Sequence, residues 1–331
     1  MQKLSFQKSE PTIKPTTAPF KPSEDAAALR AGMKGLGTDE KVIRNILTAK
    51  TNKQRQEIVE KYTAEIERDL IADLKSELGG NFKDLVSALM KTPVNFLCSE
   101  INRALSGLTL DSNTLTEVMV TRNNAEIKQI VQTYETLYKR PLVEHVCDVT
   151  KGDYRRLLTL ILTGTREQPG KVNKEKAKEL ATALFKAGEG KMGTDETEFV
   201  KIFGHESYEQ LALVFDAYKT EKGRTIEQAL QAELSGELLD ISLAIVECIH
   251  NQVTYYAKQL NKSMKGLGTD NRTLIRILVS RSEIDLGDIK KEYERLYNKT
   301  LESHVKSEAS GDYQKALINI IRGNEPQPTA T

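Results

Sequence analysis

Apolar residues recur three and four positions apart along most of the chain, in segments such as DEKVIRNIL (39–47), NTLTEVMV (113–120), TEFVKIF (197–203) and NRTLIRILV (271–279). That period lines one face of an α-helix, and the strict alternation of a half-buried strand is scarce. The pattern predicts an all-α protein. It lapses in three places. Residues 1–22 hold four of the nine prolines amid Ser, Thr and Lys, a composition that buries too little surface to offset its ordering entropy. Residues 324–331 (NEPQPTAT) read the same way, so both ends are expected as flexible tails. The third lapse is GTREQPGKVN at 164–173, of which 167–173 is the expected linker. Apolar runs such as Leu157–Leu162 fall far short of the ~20 residues that cross a bilayer, and the first residues lack an apolar signal core. A cytoplasmic, non-integral protein is expected.

The periodic stretches repeat. Adding 156 carries Gly37, Thr38 and Asp39 onto Gly193, Thr194 and Asp195, Tyr62 onto Tyr218, Arg68 onto Arg224 and Glu77 onto Glu233. Adding 159 carries Tyr134 onto Tyr293, His145 onto His304, and Gly152-Asp153-Tyr154 onto Gly311-Asp312-Tyr313. Two registers held over such distances divide the chain into four repeats, 23–92, 93–166, 174–250 and 251–323, the first matching the third and the second the fourth. Each is too small to be comfortable alone, so the repeats are expected to pack against each other.

Charge narrows the function by exclusion. Lys plus Arg total 48 against 47 Asp plus Glu, a net charge of +1, so the basic field that binds nucleic acid by counterion release is absent. Cys98, Cys147 and Cys248 lie too far apart for a CxxC site and are expected as reduced core residues. The four histidines occur singly, with no HExxH pair, and His145 and His304 are expected to be structural. Without the usual catalytic signatures, the protein is expected not to be an enzyme.

Three repeats carry a glycine turn that feeds a helix: Met33-Lys-Gly-Leu-Gly-Thr38, Lys191-Met-Gly-Thr194 preceded by Gly188, and Met264-Lys-Gly-Leu-Gly-Thr269, each followed by Asp. Glycine for unusual backbone angles, Thr as a helix cap and Asp at the positive end of the helix dipole account for one such turn. They do not account for a glutamate 40 positions beyond the second glycine in all three: Gly37 to Glu77, Gly193 to Glu233, Gly268 to Glu308. The second repeat is an internal control. Its turn reads Leu105-Ser-Gly-Leu-Thr-Leu-Asp111, with Thr109 in place of the second glycine, and 40 residues onward stands Val149. Turn and carboxylate are lost together, as a two-part metal site predicts. Calcium fits, because it takes six to eight oxygens and accepts backbone carbonyls and a bidentate carboxylate. The DxDxDG loop of an EF-hand and the GxxxxGK[ST] of a P-loop are both missing.

An M-K-G-x-G-T turn with an acidic residue some forty positions on, in a fourfold array, resembles the annexin family over residues 23–323. The resemblance implies five helices per repeat, four bundles in a slightly curved disc, and calcium loops opening on the convex face. Position by position, it implies one site from the carbonyls of Met33, Gly35 and Gly37 with the Glu77 carboxylate. It implies another from Gly188, Lys191 and Gly193 with Glu233, and a third from Met264, Gly266 and Gly268 with Glu308. Secondary sites would use Thr38 with Glu40 and Thr194 with Glu196, a pairing that Asn271 breaks in the fourth repeat. Leu36, Met192 and Leu267 are expected to dip into a lipid interface, and Lys34, Lys191 and Lys265 to meet anionic headgroups. Glu117 and Arg276 match positions that line a polar channel in the family, an interdomain salt bridge being the plainer reading.

One carboxylate per site leaves a bound ion partly neutralised, so isolated sites should be weak, at ~10⁻⁴ to 10⁻³ M, until a phospholipid phosphate completes the shell. The expected function is calcium-dependent peripheral binding to acidic, phosphatidylserine-like membranes, with movement from cytoplasm to membrane as calcium rises. Self-association on the membrane and a protein partner for the N-terminal tail are further candidates. One rival is a calcium-independent helical-repeat scaffold for protein partners, for which the pairing of Thr109 with Val149 is accidental. Another is a phosphoester or nucleotide enzyme using the glycine turns as anion nests; it lacks an adjacent base or nucleophile.

Overall fold

A computed structural model describes residues 9–15, 19–35, 37–167, 169–190, 193–266 and 268–324. Among them are 19 α-helices and no strand. The first repeat comprises α1 (Pro22–Gly32), α2 (Glu40–Ala49), α3 (Asn52–Ile66), α4 (Leu70–Glu77) and α5 (Gly80–Leu89). The second comprises α6 (Pro93–Ser106), α7 (Ser112–Val120), α8 (Asn124–Tyr138), α9 (Leu142–Val149) and α10 (Gly152–Leu162). The third begins with α11 (Lys174–Ala187), α12 (Glu196–His205), α13 (Tyr208–Lys222) and α14 (Ile226–Glu233). Then α15 (Gly236–Ser263) breaks at Asn251, whose backbone is extended (φ −167°, ψ 107°), and so serves as the last helix of the third repeat and the first of the fourth. The fourth continues with α16 (Asn271–Arg281), α17 (Leu286–Tyr297), α18 (Leu301–Glu308) and α19 (Gly311–Arg322). Each repeat therefore has five helices, as the resemblance implied.

Local chemistry sets these boundaries. Asn251 Oδ1 accepts the N–H groups of Val253 (2.9 Å) and Thr254 (3.2 Å), restarting a helix where the chain turns. Reciprocal capping boxes open α3 (Thr51 with Gln54), α8 (Asn123 with Glu126) and α14 (Thr225 with Gln228). The third helix of every repeat ends on a left-handed residue: Glu67, Lys139, Gly223 and Asn298.

The chain forms two compact units, one of residues up to Phe96 together with those from Tyr256 on, the other Leu97–Tyr255. The first unit joins the first and fourth repeats. There α2 packs on α19 and α5 on α16, Arg44 pairs with Asp312, and Arg55, 1% exposed, pairs with Glu283 at 3.1 Å. The second unit joins the middle repeats. There α10 lies on α12 so closely that a Cβ on Gly204 would stand 2.7 Å from Leu160 Cδ1, and the Tyr208 hydroxyl donates to Val120 O at 2.6 Å. The ends of the expected linker are held within this unit, Glu167 N–H donating to His205 O (2.8 Å) and Asn173 N–H to Gln210 Oε1 (2.7 Å).

Part of the expected N-terminal tail is not free. Ile13 is buried at 1% exposure, the N–H groups of Thr12 and Ile13 donate to Ser282 O (2.8 and 2.9 Å), and Gly287 N–H donates to Glu10 O (2.7 Å). Lys14 N–H donates to Asn324 Oδ1 (3.0 Å), while Asn324 Nδ2 donates to Lys14 O (2.7 Å) and Ala49 O (2.9 Å). This strap offers few apolar side chains, so its sequence reads as loose. Main-chain hydrogen bonds hold it instead.

Candidate metal sites

In every repeat the loop between the first and second helices is closed by an Asp N–H onto the end of the first helix. Asp39 reaches Gly32 O (2.8 Å), Asp111 Ala104 O (3.1 Å), Asp195 Ala187 O (2.7 Å) and Asp270 Ser263 O (2.7 Å). The third loop is one residue longer, which is why its motif reads differently. These aspartates are also the N-caps of α2, α7, α12 and α16, with φ between −74° and −100° and ψ of 76° to 83°. In the first, second and fourth repeats the Asp side chain accepts N–H groups of the helix it opens, so the residue before it is left for another task.

That task is to hold the distant glutamate. Thr38 Oγ1 donates to Glu77 Oε2 at 2.7 Å, Thr194 Oγ1 to Glu233 Oε2 at 2.7 Å, and Thr269 Oγ1 to Glu308 Oε2 at 2.8 Å. Each glutamate ends the fourth helix of its repeat (α4, α14, α18), so the hydroxyl fixes one carboxylate oxygen against the loop. The loop glycines take angles that other residues resist: φ is +115° and +89° at Gly35 and Gly37, +114° and +87° at Gly266 and Gly268, and +82° at Gly193. The matching pairs show that the two glycines take the same φ in the first and fourth loops. In the third, a Cβ on Gly188 would lie 2.8 Å from Glu233 Cγ, so only glycine admits the carboxylate there.

The described site residues are distributed as follows. Met33 and Met264 anchor their loops in the core, and Lys34 and Lys265 are exposed. Glu40 and Glu196 begin α2 and α12. In the fourth repeat Asn271 Nδ2 donates to Thr269 O at 3.2 Å, occupying the carbonyl of the secondary position with a donor. Leu36, Lys191, Met192 and Leu267 lie outside the described residues. Glu117 and Arg276 are buried, each within its own unit. Among the described residues no group of three or more His, Cys, Asp or Glu could hold a metal. A cation at these loops would thus rely on main-chain oxygens beside one carboxylate, which is calcium-type chemistry. The paired glycine angles and the close fit of Glu233 against Gly188 suit such a ligand set.

The second repeat keeps the loop closure and differs at three of these positions. Thr109 replaces the second glycine, Leu110 stands where Thr38 and Thr269 stand, and Val149 stands in place of the glutamate. No described residue of its loop has positive φ. The Thr–Glu pair was missed in the sequence, although threonine follows the turn in the same three repeats and is absent from the one lacking glutamate.

Each third helix carries a buried tyrosine, and in the first, second and fourth repeats it bonds a side chain of the fourth helix. Tyr62 donates to Asp73 Oδ2 (2.7 Å), which also accepts from Arg68 Nε (2.8 Å). That guanidinium holds the Asp73 carboxyl down at about 2. Tyr134 bonds His145 Nδ1 (2.7 Å) and donates to Asn102 Oδ1 (2.9 Å), and Tyr293 likewise bonds His304 Nδ1 and Asn261. Burial lowers the pKa of both histidines, assisted by Arg140 and Lys299 respectively. In the third repeat Ala229 occupies the partner position, and Tyr218 turns to Glu189 in the loop (3.4 Å), where Arg224 pairs at 3.0 Å.

Four five-helix repeats, three of them setting a glutamate against a glycine turn, define a helical-repeat protein with carboxylate-bearing surface loops. The sequence profile of the annexin family matches residues 24–89, 96–161, 180–245 and 255–320, and the chain belongs to that family. It is 50% identical to annexin B10 of Drosophila melanogaster over 316 residues, covering 95% of this chain and 98% of the relative. The solved structure of annexin III superposes with a TM-score of 0.93 at 39% identity, covering 96% of this chain and 98% of that one. A calcium-bound annexin (Sm)1 superposes with a TM-score of 0.82 at 32% identity, over 95% and 93%.

Proposed function

We propose that the chain binds acidic phospholipid membranes peripherally and reversibly when calcium is present, as a non-catalytic protein. One observation carries this: the Thr–Glu pair and the positive-φ glycine turn occur together in three repeats and are replaced together in the second. The ligands would be the carbonyls of Met33, Gly35 and Gly37 with Glu77, those of Gly188, Lys191 and Gly193 with Glu233, and those of Met264, Gly266 and Gly268 with Glu308. When bound, calcium supplies a positive centre that a lipid phosphate can share. Linkage then requires lipid to raise calcium affinity by the factor by which calcium raises lipid affinity. Three loops engaging one surface can add avidity of ~10² to 10⁴, which makes binding steep in calcium. Among the described residues no helix is long and apolar enough to cross a membrane, in keeping with attachment from the surface.

Sedimentation with phosphatidylserine vesicles tests this. Calcium should bring the protein into the pellet and chelator release it; equal pelleting in both arms would favour the calcium-independent scaffold. Combining Glu77→Gln, Glu233→Gln and Glu308→Gln should abolish pelleting and leave helical circular dichroism unchanged.

A further inference from the structure

The second repeat keeps the frame of the loop while exchanging its chemistry. Asp111 closes it onto Ala104 O as Asp39 and Asp270 close theirs, over the same number of residues. Register by register, Leu108 matches Leu36 and Leu267, Thr109 matches Gly37 and Gly268, Leu110 matches Thr38 and Thr269, and Val149 matches Glu77 and Glu308. The second glycine, the threonine and the glutamate have gone, while the first glycine, as Gly107, and the central leucine remain. Leu108 is fully exposed (109%), more than any other large apolar side chain among the described residues, and Val149 is 38% exposed. A single exposed leucine is ordinary. A loop that keeps leucine at its exposed tip while Leu110 and Val149 replace the hydroxyl and the carboxylate of three sister repeats is not.

We propose that this loop is an ion-independent apolar contact with the same lipid surface, Leu108 entering the boundary between headgroups and acyl chains with Val149 beside its base. The inference rests on the membrane reading above, which makes lipid the occupant: in each sister repeat the corresponding loop is the one assigned to the bilayer. Electrostatics points the same way. Without calcium, Glu77, Glu233 and Glu308 each present a negative charge that repels acidic lipid, whereas Val149 presents none. The second loop can therefore approach the surface unaided, and apolar area leaving water favours its staying there. Its contribution is added to the calcium sites and does not vary with the ion.

The chain contains no tryptophan, so Leu108→Trp introduces a sole reporter at the tip. The full-length variant is mixed with phosphatidylserine–phosphatidylcholine vesicles, with calcium or chelator, and read by sedimentation and by emission. Expected are pelleting in calcium, a blue shift of the emission and its quenching by lipids brominated on the acyl chains. Leu108→Asp should weaken vesicle affinity about tenfold at saturating calcium and leave the calcium sites intact. Pelleting without a blue shift overturns this inference alone. Emission already blue-shifted before lipid is added, marking a protein contact, also overturns it. Absence of pelleting in calcium overturns the membrane reading, and this inference with it.

Discussion

Each candidate metal site depends on a hydroxyl whose work is easily mistaken for capping. Thr38, Thr194 and Thr269 each fix one carboxylate oxygen of a glutamate 39 residues away. A glutamate side chain so held has less conformational freedom to lose when a ligand arrives. Replacing all three by Val keeps the shape and removes the bond. With a net hydrogen bond worth about 1 kcal/mol, the calcium midpoint for vesicle binding should rise about fivefold while helical circular dichroism is unchanged. The glutamates were legible because their distance from the turn repeats. The bond was not, because threonine before a helix already has a familiar role.

Two further residues give a pH signature. Burial lowers the pKa of His145 and His304 below the ordinary 6.5, so the folded chain binds fewer protons than the unfolded one in the interval between the two values. Their contribution to stability is complete above pH 6.5 and falls as pH drops through that interval. Tm measured from pH 8 to 5 should decline in its lower half. His145→Gln with His304→Gln should flatten the decline.

Among the elements, the third helices show the repeat most clearly, since all four close on a left-handed residue. Gly223 and Asn298 are of types that accept that conformation; Glu67 and Lys139, with φ of 58° and 53°, are not. Side chains pay ~1 kcal/mol or more there, so Lys139→Gly should raise stability by about 0.5 kcal/mol after the added freedom of the unfolded chain is subtracted, measured by urea unfolding. Helix content was legible from the apolar period. The break in α15 was harder to see, because CIHNQVTYY (248–256) has neither Gly nor Pro and the turn rests on one Asn side chain. The strap was also hidden, since its few apolar residues contribute less than its main-chain bonds.

At the scale of the whole molecule, the sequence registers relate the first repeat to the third and the second to the fourth, yet the first packs with the fourth and the second with the third. Likeness records common descent of pattern; packing is decided by surfaces, such as Arg44 meeting Asp312 and Gly204 admitting Leu160. No periodicity carries that information. The strap depends on similar close fits. A Cβ on Gly323, where φ is +85°, would stand 2.0 Å from Thr12 O. Gly323→Ala should therefore dislodge residues 9–15, and limited proteolysis should cut that segment several times faster while the helical core persists.

Because Thr12 and Lys14 grip Asn324 directly, the described beginning and end of the chain form a mechanical buckle. Pulled apart by its two ends in an optical trap, the protein would load this short row of hydrogen bonds first. The middle repeats, inserted in sequence between Phe96 and Tyr256, would feel no tension until the buckle had opened and the first repeat had parted from the fourth.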